Sequence, residues 1–145
     1  MKKLVVLGVA ALAIAMPAMA KEVTVQMLNK GKSGARVFEP AMVKIAPGDT
    51  VKFVPTNPSH QAETIPTMWV AGAPQYKGKM NQAVSMKFDK PGVYGIKCLP
   101  HYAMGMVALV QVGNASPNLA AVKTAADKLA PLAKKRLLPL LASAK

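Results

Sequence analysis

Tyr94-Gly95-Ile96-Lys97-Cys98-Leu99-Pro100-His101-Tyr102-Ala103-Met104-Gly105-Met106 is the stretch from which the rest of the chain can be read. Tyr94, Ile96 and Cys98 share one face of a strand, with Lys97 on the opposite face. Met106, Ala108, Val110 and Val112 repeat the period of two on a second strand. Residues 99–105 then form a loop between two strands, with Cys98 at the end of the first, pointing inward, and Met106 opening the second. The stretch holds the only cysteine of the chain, one of its two histidines and two of its ten methionines.

Working outward, the same alternation recurs. Val23, Val25 and Met27 alternate with Glu22, Thr24 and Gln26, and Met42-Val43-Lys44-Ile45 repeats the pattern before a Pro47-Gly48-Asp49 turn. Val51 and Phe53 face away from Thr50 and Lys52, and Val84, Met86 and Phe88 form a strand closed by Lys90-Pro91-Gly92. Between them, Pro55 to Gln82 is rich in proline and glycine and reads as loop. Short strands with regular turn signals predict an all-β sandwich of about seven or eight strands. After Gly113-Asn114 the period changes. Ser116-Pro117 reads as an N-cap followed by proline at the first helical position, and Leu119, Ala120, Val122, Ala126, Leu129 and Ala130 recur at helical spacing. A second helix is expected from Leu132, with Pro139 inside it as a candidate kink. The run Lys134-Lys135-Arg136 reads as its solvated face.

The chain opens with Lys2 and Lys3, an apolar run from Leu4 to Met16, and Ala18-Met19-Ala20, the layout of a secretory signal peptide cleaved after Ala20. The run is too short for the ~20 residues of a spanning helix. Export to a bacterial periplasm is the simplest consequence. Without Lys2 and Lys3, the remaining 17 basic side chains stand against 6 acidic ones, a net +11 in place of +13. Such a balance steers a protein toward acidic partners, whereas export, few aromatics and no arginine cluster argue against nucleic acid. The divisions expected are residues 1–20 as leader, 21–113 as sandwich domain and 114–145 as a helical extension packed on it.

In an oxidising compartment a single cysteine has no internal disulfide partner. It must be buried, paired with another chain or held by a metal. Cys98, His101 and Met106 at Cys-x2-His-x4-Met, with His60 from the loop after Pro55-Thr56-Asn57-Pro58-Ser59, make a His2Cys set with an axial thioether. That is the ligand set of a mononuclear blue-copper (type 1) electron-transfer site. Taken singly, each residue has a plainer reading as buried cysteine, structural histidine or gap-filling methionine. Zinc would ask for four N, S or O donors, and a thiol–disulfide pair would need a second cysteine.

Cys98-Leu99-Pro100-His101-Tyr102-Ala103-Met104-Gly105-Met106, with Met27-Leu28-Asn29-Lys30-Gly31 and Val37-Phe38-Glu39-Pro40-Ala41, resembles the pseudoazurins, a branch of the cupredoxin family. The resemblance runs from about Val23 through the tail. It implies a Greek-key cupredoxin sandwich with copper near one end and a two-helix C-terminal extension. By position, Asn29 matches the residue whose hydrogen bonding stiffens the cysteine loop. Pro100, which has no N–H to offer the sulfur, would limit water near the metal. His101, set among Pro100, Ala103, Met104 and Gly105, would be the electron exit on a dry docking face, with Lys30, Lys77 and Lys97, and more weakly Lys79, as a basic ring.

The implied activity is that of a diffusible, monomeric periplasmic electron carrier and not an enzyme, since no histidine remains for a second or open copper centre. The implied partners are c-type cytochromes and copper nitrite reductase, with nitrous oxide reductase or cytochrome c peroxidase as alternatives. Copper storage or delivery is the competing function, disfavoured because no Met-x-x-Met tract repeats. Three residues depart from the pattern. Gln61 stands where asparagine is common, putting a tie between ligand loops in question; Leu99 replaces a hydroxyl residue; and Trp69 reads as packing.

Overall fold

The structure, a computed structural model, describes residues 15–145. Eight strands form two four-stranded sheets. β1 (Glu22–Gly31), β2 (Gly34–Glu39), β4 (Thr50–Pro55) and β6 (Val84–Lys87) form one, in the order β2-β1-β4-β6. β3 (Met42–Ile45), β5 (Glu63–Thr64), β7 (Gly92–Lys97) and β8 (Val107–Val112) form the other, in the order β3-β8-β7-β5. β1 runs parallel to β4 and β3 to β8; the other pairs are antiparallel.

The alternation in β1, β4 and β6 puts Val25, Met27, Val51, Phe53 and Met86 inside, against Tyr94, Ile96, Ala108 and Val110 of the facing sheet. Most of the leader expected at residues 1–20 lies outside the described residues; positions 15–20 carry no regular structure. No helix among the described residues is long and apolar enough to cross a membrane.

β8 is buried on both faces, which explains why its sequence is almost unbroken apolar. One face joins the sandwich core. The other, Val107 and Leu109, packs with Val93 and Met68 under α1 (Leu119–Ala126) and α2 (Pro131–Ala142), which contribute Val122, Ala126, Ala133, Leu137 and Leu141. The helices thus cover the outer face of β7 and β8. Gln111 fastens the tail end, its side chain bonding the backbone of Gly113 and Lys145.

Three sequence expectations shift. α1 begins at Leu119, not at Pro117: Ser116-Pro117 lie in a preceding turn, and Asn118 occupies the cap position without capping. Its amide instead takes both backbone groups of Val93, at 2.7 and 2.8 Å, on the β7 edge opposite β8, which two-residue β5 does not reach. α2 starts at Pro131, its first-turn proline, and continues through Pro139, whose missing N–H falls on the exposed side of the last turns. β2 and β5 lack a period-2 signature. β2 carries Val37 and Phe38 side by side, both buried, and β5 is two residues within a loop-rich span.

Candidate metal centre

β7 ends at Lys97, and Cys98 follows as the residue leading into a 3-10 turn over Leu99–Met104. Pro100 suits the first turn because its absent N–H would have no partner there. The loop folds back on itself. Cys98 N–H donates to the Met106 carbonyl at 3.0 Å, His101 N–H to the Cys98 carbonyl at 3.2 Å, and Met106 N–H to the His101 carbonyl at 3.2 Å. Gly105 turns the chain with φ 85°, and a Cβ there would meet the Leu132 carbonyl oxygen at 2.9 Å. The β7–β8 frame thereby fixes Cys98, His101 and Met106 relative to one another.

His60 arrives from the other ligand loop, its backbone carbonyl accepting from Asn81 N–H at 2.8 Å. Its Nδ1 lies 3.8 Å from Cys98 Sγ; His101 Nδ1 lies 3.5 Å from the same sulfur. Two donors bound to one ion at about 2.0–2.3 Å, at angles between tetrahedral and trigonal, stand about 3.5–3.8 Å apart. The three donor atoms, all within 4.8 Å of one another, therefore suit a single transition-metal ion. His60, Cys98 and Met106 are fully buried and His101 is half-buried, so one imidazole edge meets solvent.

Burial governs the protonation of the metal-free site. It pushes His60 down to about 4, helped by the charges of His101 and Arg36, and lowers His101 as well, so both imidazoles are neutral near pH 7. It pushes the Cys98 thiol up, against the pull of the Gln61 and His101 backbone amides. A metal ion binding here would displace the thiol proton.

The residues around the ligands are partly where the sequence put them. Asn29 bonds into the site at His60: its Oδ1 is 2.9 Å from His60 Nε2. It shares the β1 face of Val25 and Met27 by the period of two. The tie placed in question at Gln61 is made. Gln61 Oε1 accepts from Leu99 N–H at 3.1 Å, while its Nε2 donates to Glu63 Oε2 at 2.9 Å and Gly78 O at 3.3 Å. The longer amide spans from the His60 loop to the Cys98 loop.

Lys30, Lys77 and Lys79 are exposed, and Lys97 is half-buried. Its ammonium lies 3.4 Å from the nearly buried Glu63 carboxylate and 5.4 Å from the Tyr102 ring centroid. Met104, Pro100 and Ala103 are exposed around His101 as expected, joined by Leu99 at 52 %. Gly105 is not part of that face; it is buried under α2. Trp69 packs edge-on to Tyr94 and beside Phe88, donating its indole N–H to Pro74 O.

Two arginines take roles in the site that no motif marks. Arg136, taken as part of a solvated face, donates to the carbonyls of Gly105 (3.1 Å), Arg36 (2.8 Å) and Ala35 (2.8 Å). It clamps the ligand loop to β2 from the C-terminal helix. Arg36 itself donates to Asn29 Oδ1. Neither belongs to a motif; only their partners, brought together by the fold, reveal them.

Residues 25–113 match the family model for copper binding proteins of the plastocyanin/azurin family. Over 116 residues the chain is 52% identical to the pseudoazurin of Paracoccus pantotrophus, covering 80% of each chain. The chain belongs to the pseudoazurins. It is similarly 51% identical over 132 residues to the Methylorubrum extorquens pseudoazurin, covering 91% of this chain and 88% of the other. The crystal structure of the Methylobacterium extorquens pseudoazurin superposes with a TM-score of 0.80 at 51% identity, over 83% of this chain and 97% of that one. Native pseudoazurin from Hyphomicrobium denitrificans gives 0.80 at 46% identity, over 86% and 98%. As a pseudoazurin the chain takes copper, for which His60, Cys98 and His101 form a candidate site, and it is a type 1 copper electron carrier.

Proposed function

We propose that this chain carries single electrons in the periplasm, with His60, Cys98 and His101 as equatorial copper ligands and Met106 as the weak axial one. The observation that carries the reading is the preformed triangle of donors at 3.5 and 3.8 Å on strand-anchored loops. Bound copper would supply the Cu(II)/Cu(I) couple. The chain's own contribution is to hold soft sulfur and neutral imidazole donors that serve both oxidation states, so that little must move between them.

Gln61 and the Cys98–Met106 backbone bonds keep the ligand loops together, and Leu99, Pro100, Ala103 and Met104 form an apolar rim around the exposed His101 edge. Lys30 follows Asn29 and Lys77 precedes Gly78, so both exposed charges flank residues bonded into the site. They would steer an acidic redox partner while the apolar rim makes a small transient contact. Copper nitrite reductase and c-type cytochromes are the partners we assign, with nitrous oxide reductase or cytochrome c peroxidase as alternatives.

Cleavage after Ala20 agrees with the seat of the next residue. The Lys21 backbone nitrogen donates to Asp49 Oδ1 at 2.8 Å, and that carboxyl is held below its usual range by the Lys21 and Ala46 amides. A free α-ammonium at Lys21 would make that contact charge-assisted.

The deciding test is the visible spectrum of the mature protein with Cu(II), before and after ascorbate, beside Cys98→Ser. An intense thiolate charge-transfer band that bleaches and returns, and is absent from the variant, is expected. A colourless protein that holds only Cu(I), or yields it readily to a chelator, would refute electron carriage and favour copper delivery.

A further inference from the structure

Arg36 stands opposite Asn29 in the β1–β2 register, between the Leu28–Val37 and Lys30–Ala35 pairs. Both side chains therefore share the face of Met27 and Phe38, which are buried, at the end that reaches His60. The Arg36 guanidinium donates to Asn29 Oδ1, and the same oxygen accepts from His60 Nε2 at 2.9 Å. Two donors converging on one oxygen settle the orientation of the amide. They also make Nε2 the protonated nitrogen of His60, leaving Nδ1, on the Cys98 side, for the metal.

Arg36 holds this place from a left-handed backbone, φ 52°, a region that costs a non-glycine residue free energy. Its carbonyl is in turn bound by Arg136 at 2.8 Å. The fold thus fixes the guanidinium from both sides.

We propose that Arg36 is a positioning residue that sets the reduction potential of the copper centre, holding His60 through Asn29 and disfavouring the more highly charged Cu(II) by its fixed positive charge. The proposal rests on the electron-carrier reading above. A carboxylate behind a ligating histidine makes the imidazole a stronger donor. A guanidinium sharing the same acceptor does the reverse, so geometry and charge act in one direction.

The path from guanidinium through Asn29 and the imidazole ring bounds the distance to the ion at about 10 Å. At an effective dielectric of about 20, one charge at that range changes the Cu(I)/Cu(II) ratio about tenfold, and half-exposure of the side chain trims this to about three- to tenfold.

The experiment is a redox titration of the copper-loaded protein with Arg36→Gln and Arg36→Lys. Gln keeps a donor for Asn29 without the charge; Lys keeps the charge. Arg36→Gln should lower the potential by that three- to tenfold change in ratio, tenfold being 59 mV for one electron. Arg36→Lys should stay near the parent. Equal potentials for parent and Arg36→Gln, or an equal fall in both variants, would overturn the role of the charge.

The positioning role is read in the copper-free protein by NMR of the His60 Nε2–H. Its protection from exchange should fall in Arg36→Ala, and unchanged protection would overturn that role. A parent protein without the blue band would fail the carrier reading, a result distinct from any change of potential.

Discussion

Replacing Gln61 with methionine keeps the length and volume of the side chain and removes all three of its hydrogen bonds. The side chain is 4% exposed, so water cannot substitute at the amide. The bond to the Glu63 carboxylate, 2.9 Å long and buried, is of the charge-assisted class worth about 1.5–3 kcal/mol. Leu99 N–H would lose its acceptor at 3.1 Å, at a cost of about 1 kcal/mol where the loop borders solvent. The 3.3 Å contact to Gly78 O adds about 0.5 kcal/mol.

Together Gln61→Met should destabilise the copper-free protein by about 3–4.5 kcal/mol, a fall in Tm of about 10–17 °C for a domain of this size. Urea unfolding of the copper-free protein measures it. Because the amide joins the His60 loop to the Cys98 loop, the variant should also release copper to a chelator faster than the parent. A loss of stability under about 1 kcal/mol, with unchanged copper release, would refute the claim that Gln61 ties the two loops.

Other expectations follow from the same contacts. Arg136→Ala removes three donors from the Ala35, Arg36 and Gly105 carbonyls and should cost about 2–4 kcal/mol in urea melts, with Arg136→Lys recovering only part because a single ammonium does not reproduce the fork. Lys30→Gln with Lys77→Gln should slow electron transfer to an acidic partner at low salt and leave the copper spectrum unchanged. Lys97→Gln should instead lower Tm, because it strips the nearly buried Glu63 of its cation. The copper-free protein should lose stability on acidification. His60 titrates near 6.5 when unfolded and about 4 when folded, so the unfolded state takes up the proton first. The contribution, at most about 3 kcal/mol, is complete above pH 6.5 and is lost as pH falls through 4. Urea melts across that window check it, and a flat profile would contradict the burial of His60.

Much of this was legible in the chain. The alternation around Cys98 and Met106 locates β7, the ligand loop and β8, since period-2 burial is a local property. His60 can be paired with them because the chain offers no other histidine. The partners of Gln61, Arg36 and Arg136 are not legible, because each is a backbone or side-chain group brought near only by the fold. Lys97 shows the same limit from the other side. Its place beside Cys98 suggests a surface charge, yet the register of β5 against β7 sets Glu63 directly opposite it. The start of α1 was misplaced for a similar reason: Ser116-Pro117 is a good local cap, but the free edge of Val93 draws Asn118 and moves the first turn downstream.

The rims of the two sheets bear on how this protein behaves when crowded with copies of itself. The outermost strands are β2 and β6 in one sheet, β3 and β5 in the other, and three of these are four residues or fewer. A short, twisted border offers too few unpaired amides to recruit a neighbouring chain. The six-residue exception, β2, has the Ala35 and Arg36 carbonyls already occupied by Arg136. The same guanidinium that braces the ligand loop therefore blunts the one border long enough to template association, and a chain lacking it would be exposed to edge-to-edge aggregation.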